Sequence, residues 1–208
     1  MNKEINNRRP LKTRNKKWVI TLTNILIKSK IKPDYISMIG IICALIASSF
    51  LLLTHSIQKN YLFLLTAIFI QFRLLCNMLD GMVAVEGKFQ SKFGDIFNEL
   101  PDRFEDIIIL VCAGYAGFHI SLGWCAASLA VLTSYIRAFG ASLGTKHYFS
   151  GPMAKPHRMF VLTVACLLEF FISSNGKIIT IGLFLIIVGS IITCIRRVRL
   201  IVKEVGTR

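Results

Sequence analysis

Seven of the chain's eleven acidic residues fall between Asp80 and Asp106, in a 208-residue sequence that is otherwise basic and 54% hydrophobic. Long apolar runs flank this segment on both sides. Carboxylates beside a bilayer are costly unless they hold a metal, a proton or a charged partner. Asn77, Asp80 and Ala84 are spaced i, i+3, i+7, which puts them on one face of a helix. Asn98, Asp102 and Asp106 are spaced i, i+4, i+8 and share a second face, with Glu99 beside it. A loop short enough to hold two such faces together would bring their oxygens to one place. Hard divalent cations such as Mg²⁺ need an oxygen-rich site of that kind. Gly81 allows a ligand to approach the backbone closely. The same acids also suit a solvated loop in which Lys88, Lys92 and Arg103 pair with them, and spacing alone leaves both readings open.

The elements that must position these residues are apolar helices. The mean hydropathy is +0.60. Six apolar runs stand out, at residues 36–54, 61–79, 107–118, 122–143, 159–172 and 178–195. A bilayer core needs about 20 helical residues, so the third and fifth runs must continue into polar sequence at the membrane surface. Residues 17–31 are amphipathic and read as a helix in the interface, with Trp18 at the headgroup level. The expected fold is therefore an all-α integral membrane protein with six transmembrane helices and an N-terminal interfacial amphipathic helix. The expected organisation is a basic tail and interfacial helix over 1–32, a six-span domain over 33–200 and a tail over 201–208.

Lys and Arg crowd the N-terminal region, the acidic segment, residues 146–158 and the C-terminal tail, while the other three connections carry only Lys59 and Lys177. Positive charge marks the cytoplasmic side, which places both termini and the acidic cluster there, in a bacterial-type inner or plasma membrane. The net charge of +14 sits beside membrane spans, where anionic headgroups are the nearest partner, so nucleic acid is not expected. The six cysteines lie mostly inside apolar runs without a C-x-x-C and read as buried small hydrophobes. The N-terminus has no signal-peptide pattern, and no lipidation motif stands out.

The acidic segment resembles the signature of the CDP-alcohol phosphotransferase family, D-x-x-D-G-x-x-A-R, eight residues, then G-x-x-x-D-x-x-x-D. The chain has Asn77, Asp80, Gly81, Ala84, Val85, eight residues, then Gly94, Asn98 and Asp102, keeping every spacing. The opening P-D-Y-I-S and the later G-P-M-A-K-P-H-R also resemble the family. Three positions depart from it: two metal-binding aspartates are Asn77 and Asn98, and the arginine is Val85. These mark a divergent branch.

The resemblance implies a CDP-activated donor such as CDP-diacylglycerol, a small alcohol acceptor, release of CMP and a divalent cation, Mg²⁺ or Mn²⁺, two of which are held by four aspartates in the family. It implies Asn77, Asp80, Asn98 and Asp102 as the metal positions, with Asp102 also the general base and Asp106 a further acid restoring charge. Gly81, Ala84 and Gly94 would border the donor. Arg137, Lys155 and Arg158 would hold a phosphate on the acceptor, although cytoplasmic loops carry such residues in any case. The family is commonly homodimeric. The alternative is a non-catalytic member that binds a nucleotide-lipid or a membrane partner. An ion or proton relay would need acids at mid-bilayer instead. Arg73 reads as snorkelling or internally paired, and Glu169 has no assigned role.

Overall fold

A computed structural model describes residues 16–57, 59–89 and 94–207, with the side chains of 94–98 outside the described set. Seven helices make up this structure: α1 (Lys17–Lys28), α2 (Pro33–Ile57), α3 (Tyr61–Glu86), α4 (Gly94–Ala116), α5 (Ile120–Ser142), α6 (Lys155–Ile172) and α7 (Lys177–Val205). There are no strands among the described residues. Of these, α2, α3, α5 and α7 are long and apolar enough to cross a membrane. The other two long helices, α4 and α6, start in polar sequence. The third apolar run extends back from residue 107 to Gly94, and the fifth from residue 159 to Lys155. Pro101 lies within α4 without ending it.

The helices alternate in direction, so the first described residues, the α3–α4 connection, the α5–α6 connection and the C-terminal end gather at one polar end. The sequence suggested direct packing of α3 on α4. Instead α2 packs against both, and α3 and α4 meet mainly through polar side chains at that end. The remaining pairings within the bundle are α5 with α4 and α7, α6 with α3 and α7, and, less extensively, α4 with α7.

Small residues let these helices approach. Ala44, Ala47, Ala113, Ala126, Ala127 and Ala130 are all buried in the main core. Gly114 of α4 faces Gly123 of α5 so closely that a Cβ on Gly114 would stand 2.6 Å from the Gly123 Cα. Membrane helices use such small-residue contacts because lipid offers no hydrophobic drive between them. The large apolar side chains are turned outward, among them Phe72, Phe171, Phe184 and Leu185, a surface suited to acyl chains rather than water. The amphipathic α1 docks Val19 and Thr23 on the end of α3, in a second cluster with Ile36, Met78, Met82 and Val83. Trp18 stays about half exposed.

Candidate active site

At the polar end, α3 supplies Arg73, Asn77 and Asp80 at successive turns of one face. The facing start of α4 supplies Glu99, Asp102, Glu105 and Asp106. The Asn77 amide Nδ2 donates to Asp102 Oδ1 at 2.7 Å and to Glu105 Oε2 at 3.3 Å. From the first turn of α6, the Lys155 ammonium pairs with the same Asp102 oxygen. Asp102 is therefore where α3, α4 and α6 meet, and its side chain keeps 14% exposure. Asp80 is 2% exposed. It accepts from the Ser37 hydroxyl of α2 at 2.7 Å and from the Gly81 N–H at 2.5 Å. A Cβ on Gly81 would meet open space among the described residues.

One turn deeper lies a network of buried ions. Arg73, with no exposed surface, pairs with Glu105 at 2.5 Å and Asp106 at 2.8 Å, and donates to the Asp102 carbonyl at 3.2 Å. Asp106 gives its other oxygen to Arg158 at 2.8 Å. Arg158 in turn reaches the Thr133 hydroxyl at 3.2 Å and the Met153 carbonyl at 3.1 Å. Such groups are tolerated only because each charge finds an opposite one.

Nearer the surface, Glu99 accepts from Arg137 at 2.7 Å and from Arg103 at 2.9 Å. Burial works against its charge, but these two guanidinium groups outweigh it and hold the carboxyl below the usual carboxylate range. Burial, seconded by Arg73, draws the Lys155 ammonium below the usual lysine range, and Asp102 and Asp106 pull against that.

The loop over 146–154 is fastened to α7. Arg197 donates to the Ser150 carbonyl at 3.1 Å, Tyr148 to Glu204 at 2.5 Å, and the Met153 N–H to the Thr193 hydroxyl at 3.0 Å. Gly151, at φ +131°, rests on Thr193, where a Cβ would stand 2.4 Å from the Thr193 methyl carbon. This fixes where Lys155 and Arg158 begin α6.

The structure thus gathers Asn77, Asp80, Asp102 and Lys155, with Gly81 alongside and Ala84 one turn on. Gly94 opens α4, and the Asn98 side chain lies outside the described residues. Asp106, expected among the metal ligands, sits a turn deeper with both oxygens held by guanidinium groups, because Arg73 and Arg158 converge on it. Arg158, expected at the acceptor, directs its two terminal nitrogens to that buried acid, Thr133 and Met153. Arg137 faces Glu99 and stacks on Phe149 at 5.1 Å. Sequence reasoning missed Ser37 and Glu105 and left Arg73 undecided. Glu105 carried a signal, lying three residues after Asp102 and so on the same face of α4.

A model of the CDP-alcohol phosphatidyltransferase family matches residues 30–196. The chain belongs to that family. Its reaction is CDP-alcohol phosphatidyl transfer in phospholipid synthesis, and the chain is an enzyme of this class and an integral membrane protein.

A protein of Aquifex aeolicus described only as uncharacterized is 30% identical over 183 residues, 85% of each chain. The phosphatidylinositol phosphate synthase of Mycobacterium tuberculosis is 28% identical over 144 residues, 65% of each chain. A crystal structure of that synthase with CDP-DAG bound superposes with a TM-score of 0.69 at 20% identity, over 88% of this chain and 92% of the other. A second, with manganese and citrate, gives 0.69 at 20% identity over 87% of each. These superpositions show a shared fold.

Proposed function

We propose that the polar pocket transfers a phosphatidyl group from a CDP-diacylglycerol-like donor to a small alcohol, with Asp102 as the proton acceptor. The observation that carries this reading is the meeting of α3, α4 and α6 at Asp102, with Asp80 alongside. In this reaction the alcohol oxygen bonds to the lipid-side phosphorus, the bond from that phosphorus to the bridging oxygen breaks, and CMP leaves. Asp102 takes the alcohol's proton, its carboxylate being partly exposed.

The donor chemistry suits a hard divalent cation, Mg²⁺ or Mn²⁺. Asp80 and Asp102 offer carboxylate oxygens and Asn98 an amide oxygen, while the Asn77 amide turns its nitrogen toward Asp102 and Glu105. No three His, Cys, Asp or Glu side chains converge as a metal group among the described residues. The cation would neutralise charge on the transferred group and the leaving oxygen. Gly81, Ala84 and Gly94 border the donor, and Arg137 with Lys155 faces the acceptor. We assign Asp106 to holding Arg73 and Arg158 in place rather than to the cation.

In the same reading α4 and α6 also span, giving six transmembrane helices over 33–200. Helix α1, with the basic residues of 1–32, lies in the interface. Both termini and the pocket face the cytoplasm, residues 201–208 form a tail, and the chain works as a homodimer. The Lys and Arg asymmetry supports the orientation. A cysteine placed at Lys146, in a background without the native cysteines, should be labelled only after the membrane is opened. Labelling from outside intact cells would reverse the topology.

The activity test is CMP release from CDP-diacylglycerol by the purified protein with Mg²⁺ or Mn²⁺, across a panel of plain and phosphorylated alcohols. Release that needs one acceptor class establishes the reading. Its absence with every acceptor points to a non-catalytic member that binds a nucleotide-lipid or a membrane partner.

A further inference from the structure

The two retained aspartates of the pocket are solvated by different chemistry. Asp80 takes neutral donors, the Ser37 hydroxyl and the Gly81 N–H. Asp102 Oδ1 takes the Asn77 amide at 2.7 Å and the Lys155 ammonium together. A carboxylate oxygen has about two lone-pair positions, so these two donors fill Oδ1. Asn77 faces two acceptors, Asp102 and Glu105, which fixes its amide with the nitrogen toward them. Its Oδ1 is turned the other way, 3.1 Å from where a Gly40 Cβ would stand. The Asp102 side of the pocket is therefore lined by N–H groups, and the Asp80 side by carboxylate oxygen.

Charge points the same way. Five described carboxylates, Asp80, Glu99, Asp102, Glu105 and Asp106, stand with five cationic side chains, Arg73, Arg103, Arg137, Lys155 and Arg158. These balance before any ion is added. The pyrophosphate of a CDP-activated donor brings the negative charge that one divalent cation offsets. Set against these described side chains, a second cation would add an excess of positive charge in a low-dielectric site.

We propose that Lys155 is a tethered cation of this pocket. With the Asn77 amide it occupies the Asp102 side, so that the chain binds a single divalent cation on the Asp80 side, with Asp102 sharing in it only through Oδ2. This rests on the metal-dependent reading given above.

The test is Mn²⁺ binding to the purified, detergent-solubilised chain without substrates, with bound ion counted by electron paramagnetic resonance. The parent is expected to bind one Mn²⁺ per chain with the spectrum of an isolated ion. Lys155→Met is expected to admit a second Mn²⁺, seen as doubled stoichiometry and the spectral broadening of neighbouring ions. Lys155→Gln should do the same, which guards against one substitution failing to fold. Lys155→Arg keeps the charge and should stay at one. Arg137→Met removes a cation from Glu99 rather than from Asp102, and should also stay at one. That control separates occupancy of the Asp102 side from a general change of charge. Two Mn²⁺ on the parent would overturn this inference and leave the metal-dependent reading standing. One Mn²⁺ on both Lys155→Met and Lys155→Gln would likewise overturn it. No Mn²⁺ on any form would overturn both.

Discussion

The bundle buries a carboxylate at each end, and the two are held by different means. At the polar end Asp106 is 1% exposed and lies between the guanidinium groups of Arg73 and Arg158. At the opposite end Glu169 is also 1% exposed. It accepts neutral donors on the next turn of chain: the Ser174 hydroxyl at 2.8 Å, the Gly176 N–H at 2.9 Å and the Ile178 N–H at 3.2 Å. The first arrangement costs desolvation of three ions and depends on every member. The second is a cap that joins α6 to α7 and meets the free N–H groups and positive end of a helix start. Burial of an acid is thus no pointer to chemistry by itself. The pointer is an acid whose partners are long cations reaching from other helices, next to one that stays partly exposed.

That distinction is most sharply broken at Asp102. Asp102→Asn keeps the side chain's shape and removes the proton acceptor, and loss of a general base typically lowers a rate by about 10²–10⁴-fold. CMP release should fall by that order while thermal unfolding in detergent stays near the parent's. An unchanged rate would move the base elsewhere and leave the polar end as structural as the opposite one.

How far this was legible in the sequence differs between the two ends. Apolar runs marked where helices lie because lipid contact demands continuous hydrophobicity, and α2, α3, α5 and α7 follow them closely. The starts of α4 and α6 were less visible, since G-D-I-F-N-E-L-P-D and K-P-H-R carry the polarity of a loop. Spacing brought Asn77, Asp80 and Asp102 together because helical faces can be read by counting. It did not show that Arg73 reaches across to Glu105 and Asp106. That contact depends on the rotation of α3 against α4 and on α2 packing against both, neither of which is encoded in local periodicity. Glu169 had no motif at all, because its partners are mostly backbone N–H groups that any sequence supplies.

The next largest effect belongs to the ion network. Arg73→Met leaves Glu105 without its cation and Asp106 with Arg158 alone, and breaking one partner of a buried pair costs about 3–5 kcal/mol. Unfolding on heating should shift down strongly, read as a temperature at fixed scan rate because membrane proteins rarely refold. Adding Glu105→Gln to Arg73→Met, with Asp106 kept as the partner of Arg158, should recover much of the loss. If it does not, the network matters for packing rather than charge. A smaller effect is expected for Asp80→Ala, which should abolish the stabilisation that Mg²⁺ or Mn²⁺ gives the parent. That stabilisation is about 2.7 kcal/mol when the free ion is at about 100 times its dissociation constant. Persistence of the ion's effect in Asp80→Ala would place the cation elsewhere.

The smallest effect sharpens the comparison from the other end. Glu169→Gln keeps one oxygen acceptor and replaces the other with an amide nitrogen that faces donors. Two of the donors, Gly176 N–H and Ile178 N–H, are fixed by the turn in which Gly176 takes φ +81°, and a Cβ there would stand 2.5 Å from the Ala116 carbonyl oxygen. The backbone has little freedom to follow the new side chain, so one donor loses its acceptor. No guanidinium is left unpaired, and the cost should be about 1–2 kcal/mol, well below that of Arg73→Met. CMP release per folded molecule should stay at about the parent's rate, because Glu169 touches nothing at the polar end. A rate loss without a stability loss would mean that the two ends are coupled, and that the cap on α7 sets the position of the Arg197 and Thr193 side chains that fasten the loop before Lys155.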